Sequence, residues 1–261
     1  LLRAEAVLRQ AESRFFQTNY VGALELLQQE IPQAGALAHE YQYLIAKSYF
    51  QNGSFPAASE SYAAVVKKYP ESAHYLEASY DEALAESKLG HWPRVVELLQ
   101  TPGGKFESAA KMQPSNRFVI DGNILLAEAF LRQSRFDEGE KVLAQLDERA
   151  TVPETKWRQN YLMCRLQMAA GRLVDALATT TNLVATAQGT GDHRLTAESV
   201  LLRGEILEKL DRLPEAVEVY EQNFVEGTPA DIRRQSFFKT VDLDLAQNKA
   251  TNAIQRLQYF I

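Results

Sequence analysis

The sequence predicts an all-α fold, a solenoid of about seven helix–turn–helix units. Three observations predict it. Small residues recur in pairs twelve positions apart, a turn signal separates the members of each pair, and no segment sustains the period-two alternation of a half-buried strand. The pairs are Ala11 with Ala23, Ala46 with Ala58, Ala83 with Val95, Ala127 with Gly139, Cys164 with Ala176, Gly204 with Ala216 and Val241 with Ala253. Successive first members lie 35, 37, 44, 37, 40 and 37 residues apart. The helices of a hairpin approach to about 8–10 Å, so a small residue belongs where they cross.

The clearest unit is Tyr41–Pro70, YQYLIAKSYFQNGSFPAASESYAAVVKKYP. Its first helix is expected over 40–51 and ends at Asn52-Gly53, because glycine takes the left-handed backbone that closes a helix. Pro56 opens the second helix, where a missing N–H costs nothing, and Pro70 stops it. The remaining turns read Thr18-Asn19-Tyr20, Leu89-Gly90-His91, Gln133-Ser134-Arg135, Ala170-Gly171-Arg172, Leu210-Asp211-Arg212 and Gln247-Asn248-Lys249. Three residues before each second small residue stands Tyr20, Phe55, Trp92, Phe136, Leu173, Leu213 or Ala250. Four residues after it comes Leu27, Tyr62, Leu99, Leu143, Thr180, Tyr220 or Leu257. That spacing keeps one face of each second helix apolar.

Two stretches interrupt the period. Thr101–Asn116, TPGGKFESAAKMQPSN, reads as a loop with one helical turn near 106–112. It is expected to hinge an N-terminal block of three units (1–100) against a C-terminal block of four (117–261). Ala187–Asp192, AQGTGD, reads as a polar, glycine-rich connection.

This register resembles the tetratricopeptide repeat, a helix–turn–helix unit of about 34 residues. Besides Tyr41–Pro70, the segments Leu125–Leu146 and Leu201–Tyr220 carry the pattern well. It thins where Thr180 and Ala250 replace large residues, and the family's early tryptophan is absent from Val7, Gln42, Ser79, Asn123, Asn160, Val200 and Phe237. The resemblance implies a right-handed α-solenoid whose first helices line a concave groove for a partner segment. By that register the groove takes Leu8, Glu12, Phe15, Tyr43, Lys47, Phe50, Tyr80 and Leu84 from the first three units. The fourth and fifth give Ile124, Glu128, Arg158, Tyr161 and Arg165, and the last two give Leu201, Glu205, Phe238 and Asp242. Aromatics at these positions serve either the groove or packing on the next unit. The family's carboxylate clamp for chaperone tails needs lysine and asparagine at set places, and Leu8, Glu12, Tyr43, Lys47, Tyr80 and Leu84 do not supply it. The join Lys67-Lys68-Tyr69-Pro70-Glu71-Ser72-Ala73 is similar to that of bacterial envelope repeat proteins such as the TolA-binding protein and the outer-membrane assembly lipoprotein. A periplasmic or envelope setting follows as an expectation, with the cytoplasm as the alternative.

Composition narrows the chemistry. The formal net charge of −6 offers no basic excess to displace counterions from nucleic acid. One cysteine, Cys164, permits no intrachain disulfide, and at a crossing position it reads as packing. No apolar run reaches the roughly 20 residues of a membrane span. Leu1–Glu5 lacks the basic region and apolar core of a leader, and a chain without an initial methionine reads as a mature form or an excised segment. His39, His74, His91 and His193 have no second histidine at ligand spacing and read as exposed polar residues. Gly103-Gly104-Lys105 lacks both the earlier glycine and the following Ser/Thr of a phosphate loop. The pairs Asp81-Glu82 and Asp242/Asp244 read as solvated faces or neighbour contacts. No nucleophile, base and oxyanion donor assemble, so neither enzyme activity nor a cofactor nor a metal is expected. The expected function is a scaffold that binds a protein or peptide. The alternatives are self-assembly through the apolar end Leu257–Ile261, as a homo-oligomer, and the recruiting part of a larger protein.

Overall fold

The computed structural model describes residues 2–146 and 152–260, without the side chains of Lys105, Tyr259 and Phe260. The described residues form fifteen α-helices, with no strand among them. Fourteen of the helices follow one another in the order of the seven expected pairs. These are α1 (Leu2–Phe16) with α2 (Tyr20–Glu30), α3 (Ala38–Gln51) with α4 (Phe55–Lys68), and α5 (Tyr75–Lys88) with α6 (Trp92–Gln100). After the additional helix α7 (Lys105–Met112) come α8 (Arg117–Arg132), α9 (Phe136–Ala144), α10 (Pro153–Ala169) and α11 (Leu173–Thr190). Then follow α12 (His193–Lys209), α13 (Leu213–Glu221), α14 (Ala230–Ala246) and α15 (Ala250–Phe260).

Each second helix begins on the residue that the register marks: Tyr20, Phe55, Trp92, Phe136, Leu173, Leu213 and Ala250. All fourteen small residues are buried, Ala11, Ala46 and Cys164 among those with no exposed surface. The Gly204 crossing is the tightest, since a β-carbon there would meet the Tyr220 ring at 2.3 Å. Six of the seven large-residue positions that follow are buried as well. Thr180 fits without a large side chain because its hydroxyl donates to the Leu177 carbonyl at 2.6 Å. Leu257 is the exception, at 38% exposed. Ile261 lies outside the described residues, so an apolar terminus at 257–261 is described only in part.

The helices cluster into two compact units, Leu1–Gln133 and Ser134–Ile261. This division lies beyond the 101–116 stretch, where a hinge between blocks was expected. The reason is α7, a helix of eight residues that packs on α5, α6 and α8. Its Phe106 is 3% exposed and fills the space over Gly122, where a β-carbon would come within 2.3 Å of the ring. Ala187–Asp192 also differs from expectation. Helix α11 runs through it to Thr190 because Ala187 is fully buried, Gly191 then turns the chain at φ +72°, and Asp192 caps α12 at once.

Candidate protein-binding face

In the Leu1–Gln133 unit, α1, α3, α5 and α8 share a pattern counted from their small residues. Positions six before, three before and one after fall on one helix face, since three- and four-residue steps are neighbours. They hold Glu5, Leu8 and Glu12 on α1; Glu40, Tyr43 and Lys47 on α3; Glu77, Tyr80 and Leu84 on α5; and Asp121, Ile124 and Glu128 on α8.

His74, immediately before α5, organises this face. Its Nε2 lies 2.7 Å from Glu40 Oε2, and its ring stacks on Tyr43 at 4.1 Å and 7°. Its Nδ1 is 3.8 Å from Glu77, whose carboxylate is 3.9 Å from Lys47 Nζ. Lys47 in turn sits 5.3 Å from the centre of the Tyr43 ring. Glu77, followed by Glu40, raises the His74 pKa against the opposing effect of burial. His74 in return lowers that of Glu77. Asp81, one turn along α5, is pushed up to about 7 by burial and by the nearby Glu77 charge, although Lys47 and the nearby Tyr62 hydroxyl oppose the rise. The buried Tyr43 hydroxyl faces Glu77 without meeting hydrogen-bond geometry, and burial raises its pKa. Beside this cluster a cavity of about 200 Å³ is lined by Leu8, Phe15, Phe16, Tyr43 and Leu44, with Glu12, Glu40, Lys47 and His74 around it.

In the Ser134–Ile261 unit, Trp157 Nε1 donates to Ser199 Oγ at 2.8 Å, and Tyr161 stacks on Trp157 at 5.0 Å between ring centres. Arg158 is exposed and Arg165 half-buried on the same helix.

The expected groove residues therefore divide. Tyr43 and Ile124, each 5% exposed, are packing residues. Phe50 leans edge-on against Phe55 at 5.3 Å, and Tyr80 lies 6.1 Å from Phe118; both are half-buried. Lys47, Glu128, Tyr161 and Arg165 keep partial exposure, and Glu128 meets Arg132 at 3.4 Å. Of the second unit's further candidates, Phe238 is 47% exposed. Sequence reading passed over His74 as an exposed polar residue. Glu40 and His74 lie 34 residues apart where the step between their units is 37, so they hold different register positions and meet only because the units stack.

In each carboxylate pair one member is a neighbour contact, and Asp242 is exposed. Glu82, 5% exposed, accepts from Arg94 at 3.3 Å, and Asp244, 2% exposed, accepts from Arg256 at 2.7 Å. Cys164 is fully buried and its thiol is pushed up to about 12 by burial, as packing requires. Among the described residues no group of three or more His, Cys, Asp or Glu could hold a metal ion, and no helix is long and apolar enough to cross a membrane.

The tetratricopeptide repeat family matches residues 43–86, the span from within α3 to within α5. No curated protein matches the chain by sequence. Among solved structures, a tetratricopeptide repeat protein from Parabacteroides merdae is similar at 12% identity and a TM-score of 0.69, over 99% of this chain and 92% of its own. PilW, described as a widely conserved type IV pilus biogenesis factor, is similar at 16% identity and a TM-score of 0.65, over 90% of this chain and 98% of its own. The apo form of RapI is similar at 9% identity and a TM-score of 0.69, over 98% of this chain and 75% of its own. The chain has a tetratricopeptide-repeat fold.

Proposed function

We propose that this protein is a non-catalytic scaffold that holds a protein or peptide segment against its first helices, in a bacterial cell-envelope assembly. The observation that carries the reading is the set of side chains left at least partly exposed on those helices. Lys47, Phe50 and Tyr80 in the first unit, and Arg158, Tyr161 and Arg165 in the second, put aromatic and charged groups where neighbouring helices do not cover them fully. Aromatic and arginine side chains are the groups that dominate protein interfaces. Tyr43 and Ile124 support that face from beneath. The envelope setting rests on the Lys67–Ala73 join and on the likeness to PilW, a pilus biogenesis factor. Affinity capture from the native organism tests the scaffold. Charge reversal at Lys47, Arg158 and Arg165 together with Tyr161→Ala should reduce recovery of the captured partner about tenfold while the helical circular dichroism is retained. Undiminished capture would remove these faces from the function.

A further inference from the structure

We infer that the cavity between α1 and α3 accepts a bulky apolar side chain from a cationic segment, one that carries Lys or Arg beside that apolar residue. The inference rests on the scaffold reading and names the chemistry of the partner. The cavity holds about 200 Å³, below the roughly 300–1,000 Å³ that encloses a drug-sized ligand, so it suits a side chain better than a metabolite. Leu8, Phe15, Phe16, Tyr43 and Leu44 make the apolar part of its wall, and Phe16 is 81% exposed at its edge. A large aromatic surface left in water is stabilised when a partner covers it.

Charge selects the partner. Glu12 and Glu40 line the cavity, and Glu5, Glu77 and Asp81 belong to the same stretch of α1, α3 and α5. Against the four glutamates and Asp81, which is only partly ionised near neutral pH, stand Arg9 and Lys47, with the imidazoles of His74 and of His39, 3.3 Å from Glu40. Arg9 is spent on Glu12 at 2.9 Å, and Lys47 is shared between Glu77 and the Tyr43 ring. Burial, and after it the Glu77 charge, raise the pKa of Asp81, and an arriving cation would relieve the second of these.

The test is fluorescence anisotropy of the whole chain with short labelled peptides of alternating leucine and lysine, leucine and glutamate, or glycine and lysine. The leucine–lysine peptide should bind, and raising the salt to about 0.5 M should weaken it. Glu12→Gln with Glu40→Gln should weaken it roughly fivefold. Because Glu40 also holds His74, Phe16→Ser is the second variant: an exposed position that leaves the fold intact and should weaken the same peptide. Equal or tighter binding of the leucine–glutamate peptide would overturn the cationic assignment; if that binding still fell with Phe16→Ser, the scaffold reading would stand without it. Equal binding of the glycine–lysine peptide, indifference to all three substitutions, or no binding would overturn the inference.

Discussion

Asp81 lies on α5 near the Glu77 carboxylate and the Tyr62 hydroxyl, and its pKa rises from 3.8 to about 7. A carboxyl whose folded pKa is raised destabilises the fold progressively as pH climbs from its unfolded value to its folded one. Here that window runs from about 4 to about 7, with an upper bound near 4 kcal/mol. His74 acts in the same direction. Its folded pKa is raised above 6.5, so its contribution is complete below that value and is lost as pH rises through the folded pKa. Glu77, lowered from 4.5, contributes above that value and fades only as pH falls through its depressed pKa. The α3–α5 junction should therefore be firmest near pH 5 and weaker near pH 8. Asp81→Asn keeps the shape of the side chain and removes the charge. It should stabilise the protein in urea unfolding at about pH 8, by as much as a few kcal/mol, and change little at about pH 4. Equal effects at both values would show that Asp81 is not the group responsible.

At the scale of the hairpin, every turn is built on one left-handed residue placed seven after the first small residue. Gly53, Gly90 and Gly171 supply it without strain, whereas Thr18, Ser134, Asp211 and Asn248 reach φ of 57–60° with a β-carbon. In the second hairpin the bonds are those of a Schellman ending: the Ser54 N–H donates to the Tyr49 carbonyl at 2.9 Å and the Gly53 N–H to that of Phe50 at 3.0 Å. The first hairpin repeats them from Asn19 to Arg14 and from Thr18 to Phe15, each at 2.9 Å. Thr18 is β-branched, the residue type least suited to this region. Thr18→Gly should raise stability by about 1 kcal/mol, and Gly53→Ala should lower it by about the same. An added β-carbon at Gly53 meets nothing within 4 Å, so thermal unfolding of that variant reads the backbone cost alone. These hairpins were legible because small residue, turn and apolar helix start repeat at fixed offsets within about 20 residues. The register placed Gly53 and Gly90 correctly, but in the first hairpin it marked Thr18-Asn19-Tyr20 without singling out Thr18. Helix α7 was legible only as a single turn. Gly103-Gly104 and Pro114 bracket it, and what holds it is the burial of Phe106 against Gly122, a contact across the chain. Of the candidate face, the aromatic positions followed from the register. The charge cluster did not, since Glu40 and His74 meet only when successive units stack.

At the scale of the whole chain, repeat arrays derive their stability from each unit and its neighbours, so a cut costs one interface and leaves the remainder folded. The division at Gln133 and Ser134 makes this testable. The first unit contains the cores around Tyr41 and Ala46 in full, and its last helix, α8, packs on α5, α6 and α7 of the same unit. The second contains the cores around Cys164, Tyr220 and Val241. Every residue lining the cavity between α1 and α3 belongs to the first unit. A fragment of residues 1–133 should therefore be helical, unfold cooperatively in urea, and bind the leucine–lysine peptide within about threefold of the whole chain. The fragment 134–261 should be helical and fail to bind that peptide at the same strength. Circular dichroism, urea titration and anisotropy on the two fragments decide it. A first fragment that is unfolded alone would show that its core depends on the second. A folded fragment with lost affinity would place part of the peptide site beyond residue 133.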